Sequence, residues 1–233
     1  MSLRGKKILI TAGPTWVALD SVRVISNISS GANGILISGQ FLDQGAKVTL
    51  LLGPGLDCDL SIVCIKELRK KRSLRVVRFR FFRQLAAILK QELKNKKYDI
   101  IIHSAAVSDF CPVRTISSGD KQLSNRVKPG LRGKGKLDSQ RVHRLELKPL
   151  PKLISLIRKA QPAAELVMFK LESGIGDKML IQRARSAQKK YKANWVVANR
   201  INPYRAFIID NIGKKTAVNS KLQLAKKLLT VLS

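Results

Sequence analysis

The chain has 233 residues, 45% of them hydrophobic, and 45 Lys and Arg against 15 Asp and Glu, a formal net charge of +30. That length and apolar content suit one large domain (1–233) with a sizeable core, and no apolar run approaches the roughly 18 residues of a membrane span. Cys58, Cys64 and Cys111, an odd number without CxxC spacing, argue against a disulfide framework or a zinc site, so a cytoplasmic location is the default. Met1-Ser2-Leu3-Arg4 leads straight into the first apolar segment, leaving no room for a signal peptide.

Ile8-Leu9-Ile10 reads as a strand ending in the small residues Thr11-Ala12-Gly13. A polar loop follows and closes with Ser29-Ser30-Gly31. Ile35, Leu36, Gly39 and Phe41-Leu42 then recur at helical spacing, with Gly45 placed to stop the helix. A strand, loop and helix in this order aim free backbone N–H groups at a helix N-terminus, where the macrodipole favours an anion. Lys47–Leu52 is a second strand, closed by Gly53-Pro54-Gly55, and Ser61–Ile65 a third. Val76–Phe82 alternates apolar and basic residues as a half-exposed strand would, or else begins the next helix, Phe82–Lys96. Tyr98–Ala106 is nearly continuously apolar, as in the centre of a parallel sheet.

Residues 111–140 break the rhythm with Pro112, Gly119, Pro129, Gly130, Gly133 and Gly135. They predict a long flexible flap, and loops of that length in compact domains tend to be functional or disordered. Arg141–Leu147 returns as a strand. Pro151–Lys159 and Asp177–Tyr191 are helices, Glu165–Phe169, Trp195–Ala198 and Ala206–Asp210 strands, and Ser220–Leu232 a closing helix. Strand and helix alternate throughout, predicting an α/β fold with a doubly wound, mostly parallel Rossmann-like sheet.

The positive charge attracts anions: nucleotides, phosphorylated metabolites or nucleic acid. Residues 66–97 hold 13 Lys and Arg, opposed only by Glu67 and Glu92. Aromatics are only 5% of the chain, and RNP, KH and zinc-knuckle signatures are absent, so nucleic acid is a secondary expectation. Neither a Walker loop nor a clean GxGxxG is present, and no acidic residue closes the second strand. Both facts count against a dinucleotide oxidoreductase.

Five segments, in order, carry a specific resemblance. They are TAGPT…LDSVRVISNISSG in the opening loop, HSAAVSDF at 103–110, Gly135-Lys136-Leu137-Asp138-Ser139, Met168-Phe169-Lys170-Leu171-Glu172, and RARSAQKKYKANWVVAN at 183–199. Together they resemble the phosphopantothenoylcysteine synthetases, which join 4′-phosphopantothenate to cysteine in coenzyme A synthesis. The resemblance implies two steps. A nucleoside triphosphate first converts the carboxylate to an acyl-nucleotide, releasing pyrophosphate; the amine of cysteine then displaces the nucleoside monophosphate. CTP is the favoured nucleotide and ATP the alternative. Mg²⁺ is expected with the triphosphate and no dedicated protein metal ligands are implied.

By the same resemblance, Asn27 acts in amide formation and Lys136 is the flap lysine that reaches the triphosphate, with Lys134 as the other possible register. Gly13, Ser29, Ser30 and Gly31 form the anion cradle. Ala105 and Ala106 let the nucleotide approach the backbone, Asp109 contacts its sugar, base or metal, Phe169 lies against the base, and Lys190 supplies a second phosphate contact. Arg23 orders the loop or a dimer interface. A standalone homodimeric synthetase is expected. Three departures stand out: Trp16-Val17-Ala18 after the opening motif, Arg200 where many bacterial members carry Asp, and a poor match over residues 56–82. A homologue that has lost ligation and binds RNA or another polyanion through its basic face is the alternative.

Overall fold

The computed structural model describes residues 3–55, 68, 72–117 and 135–233. Its centre is an eight-stranded sheet. The strands, in chain order, are β1 (Lys7–Ala12), β4 (Lys47–Leu52), β5 (Leu74–Arg78), β6 (Ile100–His103), β9 (Glu165–Leu171), β10 (Trp195–Arg200), β11 (Arg205–Ile209) and β12 (Lys215–Val218). Their spatial order is β12-β11-β10-β9-β6-β1-β4-β5. The six from β5 to β10 pair in parallel, while β11 and β12 add antiparallel partners at one edge. The chain leaves β1 toward β4 on one side and later returns to β6 on the other. The doubly wound order therefore reverses between β1 and β6, and open α/β sheets bind ligands beyond the carboxyl ends of such a pair.

The central strands are apolar throughout because both faces are covered. Ile8 and Ile10 of β1 join a core with helices α1 (Ala32–Asp43) and α5 (Lys221–Leu232); Leu9, pointing the other way, joins the core of α2 (Phe82–Asn95), α3 (Leu153–Ala160) and α4 (Asp177–Tyr191). Gly34 lets α1 press on β1, since a Cβ there would lie 2.4 Å from the Ala12 Cβ. The start of α2 is set by Gln84, whose side-chain oxygen accepts from the Arg80 and Phe81 N–H groups at 2.8 and 3.1 Å. That bond, with β5 ending at Arg78, resolves the two readings of Val76–Phe82.

Two small sheets stand outside this frame. One is the hairpin of β2 (Trp16–Ala18) and β3 (Val24–Ser26), which the sequence reading passed over. The other corrects the expected flap. Its first part, Phe110–Ser117, is a strand (β7) paired antiparallel with β8 (His143–Pro149). Pro112 lacks an N–H and sits at the bulge in this ladder, where a proline costs the pairing little. Lys134 and the expected strand Ser61–Ile65 lie outside the described residues.

Candidate active site

The cradle forms where the loops after β1 and β4 meet the start of α1. Gly13 and Gly31 both have positive φ, +80° and +76°, a conformation that side-chain-bearing residues rarely adopt. A Cβ on Gly13 would crowd the Gly53 backbone at 3.2 Å, and one on Gly53 would lie 2.3 Å from the Pro14 carbonyl oxygen. Three backbones thus pack with no room for side chains. Gly31 caps α1 without a side chain, and the first turn of the helix carries no acidic residue. Ser29 and Ser30 accept from the N–H groups of Gly31 and Ala32, both at 3.4 Å. Such long bonds leave these donors open to a better acceptor. Asn33, in the same turn, has a buried Oδ1 without a hydrogen-bond partner.

The loop after β6 is fastened to this cradle. Ala105 N–H donates to Thr11 Oγ1 and Ala106 N–H to the Gly13 carbonyl, at 3.3 and 3.0 Å. Ser104 Oγ donates to the Thr11 carbonyl at 2.7 Å. Thr15 and Ser108, both buried, clip the two loops together: Ser108 N–H donates to Thr15 Oγ1 at 2.8 Å and Ser108 Oγ to the Thr15 carbonyl at 3.0 Å. Asn27, at the end of the hairpin, closes the arrangement. Its Nδ2 donates to the carbonyls of Ala106 and Val107 at 3.2 and 3.1 Å. An amide donor is therefore held, exposed, beside the helix N-terminus at the switch point.

His103 ends β6 beneath the cradle, its Nδ1 2.8 Å from Thr11 Oγ1. Burial pushes its pKa down to about 4, so the imidazole is neutral at pH 7. Its contact with Thr11 ties the end of β6 to β1. Asp109 follows the clip with an exposed carboxylate paired to Lys152 at the start of α3. This is the carboxylate on the cradle's own loop that could accompany a metal-bound phosphate. Among the described residues, no group of three or more His, Cys, Asp or Glu could hold a metal ion. Mg²⁺ characteristically takes one or two carboxylates together with substrate phosphates, and a single exposed Asp fits that pattern.

The hairpin tip holds the base of the flap. Asp20 is 4% exposed, and its carboxylate accepts from the N–H groups of Val22, Arg23 and Leu137 at 2.9, 2.7 and 3.1 Å, and from Arg23 Nε at 2.7 Å. Arg23 in turn donates to the Leu137 carbonyl at 2.8 Å. Burial alone would raise the pKa of Asp20, but these donors hold it far below the usual carboxylate range. Arg23 is thus a loop-ordering residue, and Lys136, exposed and adjacent to Leu137, is tethered through it. The sequence reading did not single out Asp20, although an Asp three residues before an Arg in a turn is a recognisable pairing.

Phe169 lies within β9, half-buried against the core on the α1 face. Farther along the same edge, Arg200 and Arg205 both pair with Asp177 in the first turn of α4, at 3.2 and 3.3 Å. The positive charge at position 200 is thus matched by a carboxylate from the neighbouring helix. Asn199 Oδ1, Arg200 Nε and Tyr204 Oη are buried there without hydrogen-bond partners; of the three residues, only Tyr204 went unmarked in the sequence. Lys190 is placed differently. It is in the last turn of α4, where the helix returns to the start of β10, and its ammonium lies 5.6 Å from the centroid of Tyr191. The fold gathers Gly13, Asn27, Ser29, Ser30, Gly31, Ala105, Ala106 and Asp109 at one edge, and leaves Lys190 at the other.

A doubly wound sheet with a cradle of backbone N–H groups at its switch point defines a Rossmann-like α/β domain. A model of the family described as the DNA/pantothenate metabolism flavoprotein C-terminal domain matches residues 3–233, and the chain belongs to that family. Over 97% of its length the chain is 31% identical to the coenzyme A biosynthesis bifunctional protein CoaBC of Thermococcus kodakarensis, of which it covers 51%. It is 30% identical, again over 97%, to the protein of the same name from Methanocaldococcus jannaschii, covering 50% of it. It therefore spans about half the length of these curated relatives. The crystal structure of the DNA/pantothenate metabolism flavoprotein from Streptococcus pneumoniae matches with a TM-score of 0.79 and 27% identity over 98% of both chains.

Proposed function

We propose that this domain is the ligase that joins 4′-phosphopantothenate to cysteine through an acyl-nucleotide. The observation that supports it most is Asn27, held across the switch point beside the N-terminus of α1. In the first step the cradle N–H groups of Gly31 and Ala32 meet phosphate oxygens, and the weak serine bonds exchange for stronger charge-assisted ones. Asp109 would hold the Mg²⁺ brought by the nucleotide, and the ion would supply charge neutralisation at the phosphates. Lys136 brings a mobile positive charge on a segment whose root is fixed by Asp20 and Arg23. In the second step the amine of cysteine attacks the acyl carbonyl. Asn27 Nδ2 then turns a proton from a backbone carbonyl to the developing oxyanion, a neutral donor suited to a charge that exists only transiently.

CTP is the expected nucleotide, and the cytoplasm the expected compartment. We expect a homodimer as well. Val24 and Ile25 on the hairpin and Ile116, Leu145 and Leu147 on the β7–β8 ribbon are exposed apolar side chains, a surface that a second copy would cover. The decisive test measures pyrophosphate release with phosphopantothenate, cysteine and Mg²⁺, in parallel with CTP and ATP. Release that depends on phosphopantothenate supports the ligase and names the nucleotide; silence with both, from folded protein, overturns it. Lys136→Gln should cripple the first step, and Lys134→Gln should not; the reverse would shift the flap register by two residues.

A further inference from the structure

The opposite edge of the sheet carries a second concave surface that the ligase chemistry does not use. At the amino ends of β1, β4 and β5, a cleft of about 270 Å³ is lined by Lys7, Lys47, Arg72, Arg75 and Lys96. Val48 and Leu74 form its apolar part, and Thr49, Ser73 and Tyr98 add polar groups. Two carboxylates stand nearby and both are engaged: Asp99 accepts the Lys7 backbone N–H at 2.7 Å and pairs with Lys6 at 3.5 Å. Glu92 pairs with Arg75 and, at 2.9 Å, with Lys96, and it accepts the hydroxyl hydrogen of the buried Tyr98. Lys7, Lys47 and Arg72 form no ion pair among the described residues. Lys7 and Lys47 are, moreover, direct partners in the β1–β4 ladder. Like charges set opposite each other on neighbouring strands are destabilising, and here a third free cation stands close by. An arrangement that concentrates uncompensated positive charge around a cleft is stabilised when an anion occupies it.

We propose that this ledge is a second anion site, which takes a small oligophosphate: two or three linked phosphates, free or carried by a metabolite. The cleft's volume suits such a group, whereas an extended nucleic-acid strand needs a longer track. The six residues of β1 separate the ledge from the cradle by about 17 Å, so one small ligand cannot fill both.

The test is calorimetric titration of inorganic tripolyphosphate into the full chain at about 0.15 M salt, where long-range attraction is screened. Two binding events are expected, one at the cradle and one at the ledge. The triple variant Lys7→Ser, Lys47→Ser, Arg72→Ser should lose one event or weaken it at least tenfold. A control that removes the same charge elsewhere, Lys214→Ser, Lys221→Ser, Lys226→Ser, should change it less than twofold. Equal weakening in both triple variants, with native-like circular dichroism, would reduce the effect to the general field of the protein and overturn the site. So would unchanged titration in the ledge variant. A bound decauridylate that tripolyphosphate cannot displace from the ledge would overturn its assignment to a small anion.

Discussion

The two edges of the parallel sheet present positive charge and N–H donors by different means. At the carboxyl edge the work falls to the backbone: Gly13, Gly31 and Gly53 pack without side chains, and α1 presents N–H groups with no acidic residue in its first turn. The amino edge relies on side chains, with five Lys and Arg around a cleft and Glu92 holding two of them. A backbone cradle has fixed geometry and a dipole that falls off within a turn, which suits chemistry at one phosphate. A ledge of flexible cations has charge but little geometry, which suits binding without catalysis. Substitutions should therefore act on reaction rate at the first edge and on salt-sensitive binding at the second.

The largest effect is expected at Asn27. Asn27→Asp replaces an amide donor with a carboxylate where the proposed ligase reaction would form its oxyanion. Amide formation should fall by about 10² to 10³-fold, the range for removing one such donor. Pyrophosphate release should survive, so mass spectrometry of the quenched reaction should find the acyl-nucleotide accumulating. Native cysteine-dependent turnover in that variant would remove Asn27 from its role.

The next effect concerns stability beneath the cradle. Because burial lowers the His103 pKa from 6.5 to about 4, the unfolded chain takes up a proton over that range that the folded chain declines. Stability from this residue is complete above pH 6.5 and is lost as the pH falls toward 4, by on the order of 3 kcal/mol. Urea denaturation at stepped pH should show the loss, and His103→Gln should abolish it. Asp20 and Glu92, whose pKa values are lowered from 3.8 and 4.5, add their own losses as the unfolded carboxyls take up protons, so theirs grow toward the acid end of this range and below it. A wild-type curve flat between pH 6.5 and 4.5 would show that His103 accepts a proton in place.

How much of this was legible in the sequence depended on whether a signal was local. β1, β4 and the helix Asp177–Tyr191 announced themselves through apolar runs and helical periodicity, and the observed bounds follow them closely. Residues of the cradle could be named because glycines and serines at a strand-to-helix turn have few other uses. β7 was hidden because a two-stranded ribbon with exposed apolar residues and a proline at its bulge has no clean period of two. The clip between Thr15 and Ser108, and the hold of Asp20 on Leu137, join residues about 90 and 117 positions apart. Nothing local in either partner encodes such contacts. The ledge was visible only as a charge run, because its concavity comes from strand ends that meet in space.

A third substitution sharpens the contrast between the edges. Gly53→Ala would set a methyl group 2.3 Å from the Pro14 carbonyl and 2.8 Å from the Phe79 ring. The cradle must shift to admit it, at about 1–3 kcal/mol of stability, the usual scale for overpacking. Lys47→Ala, on the ledge, should change stability by less than about 0.5 kcal/mol. Thermal or urea unfolding of the two variants side by side would show whether the carboxyl edge is the rigid one; equal losses would erase the distinction.

The smallest effect is the most discriminating. Lys190 is attractive as a phosphate ligand on sequence grounds, because Lys189-Lys190 closes a helix in a segment that resembles the synthetases. The fold puts that turn where α4 delivers the chain to the start of β10, and α4, with 15 residues, is about 22 Å long. Its first turn, with Asp177, is the end that faces the site-bearing edge. A lysine at the far end cannot touch a nucleotide at the cradle, and through solvent its charge is screened beyond about 8 Å at physiological salt. Lys190→Ala should therefore leave kcat and the KM for the nucleotide within twofold of the parent in the pyrophosphate assay. A KM raised tenfold, with native unfolding behaviour, would mean that the nucleotide extends across the sheet and that the two edges serve one ligand after all.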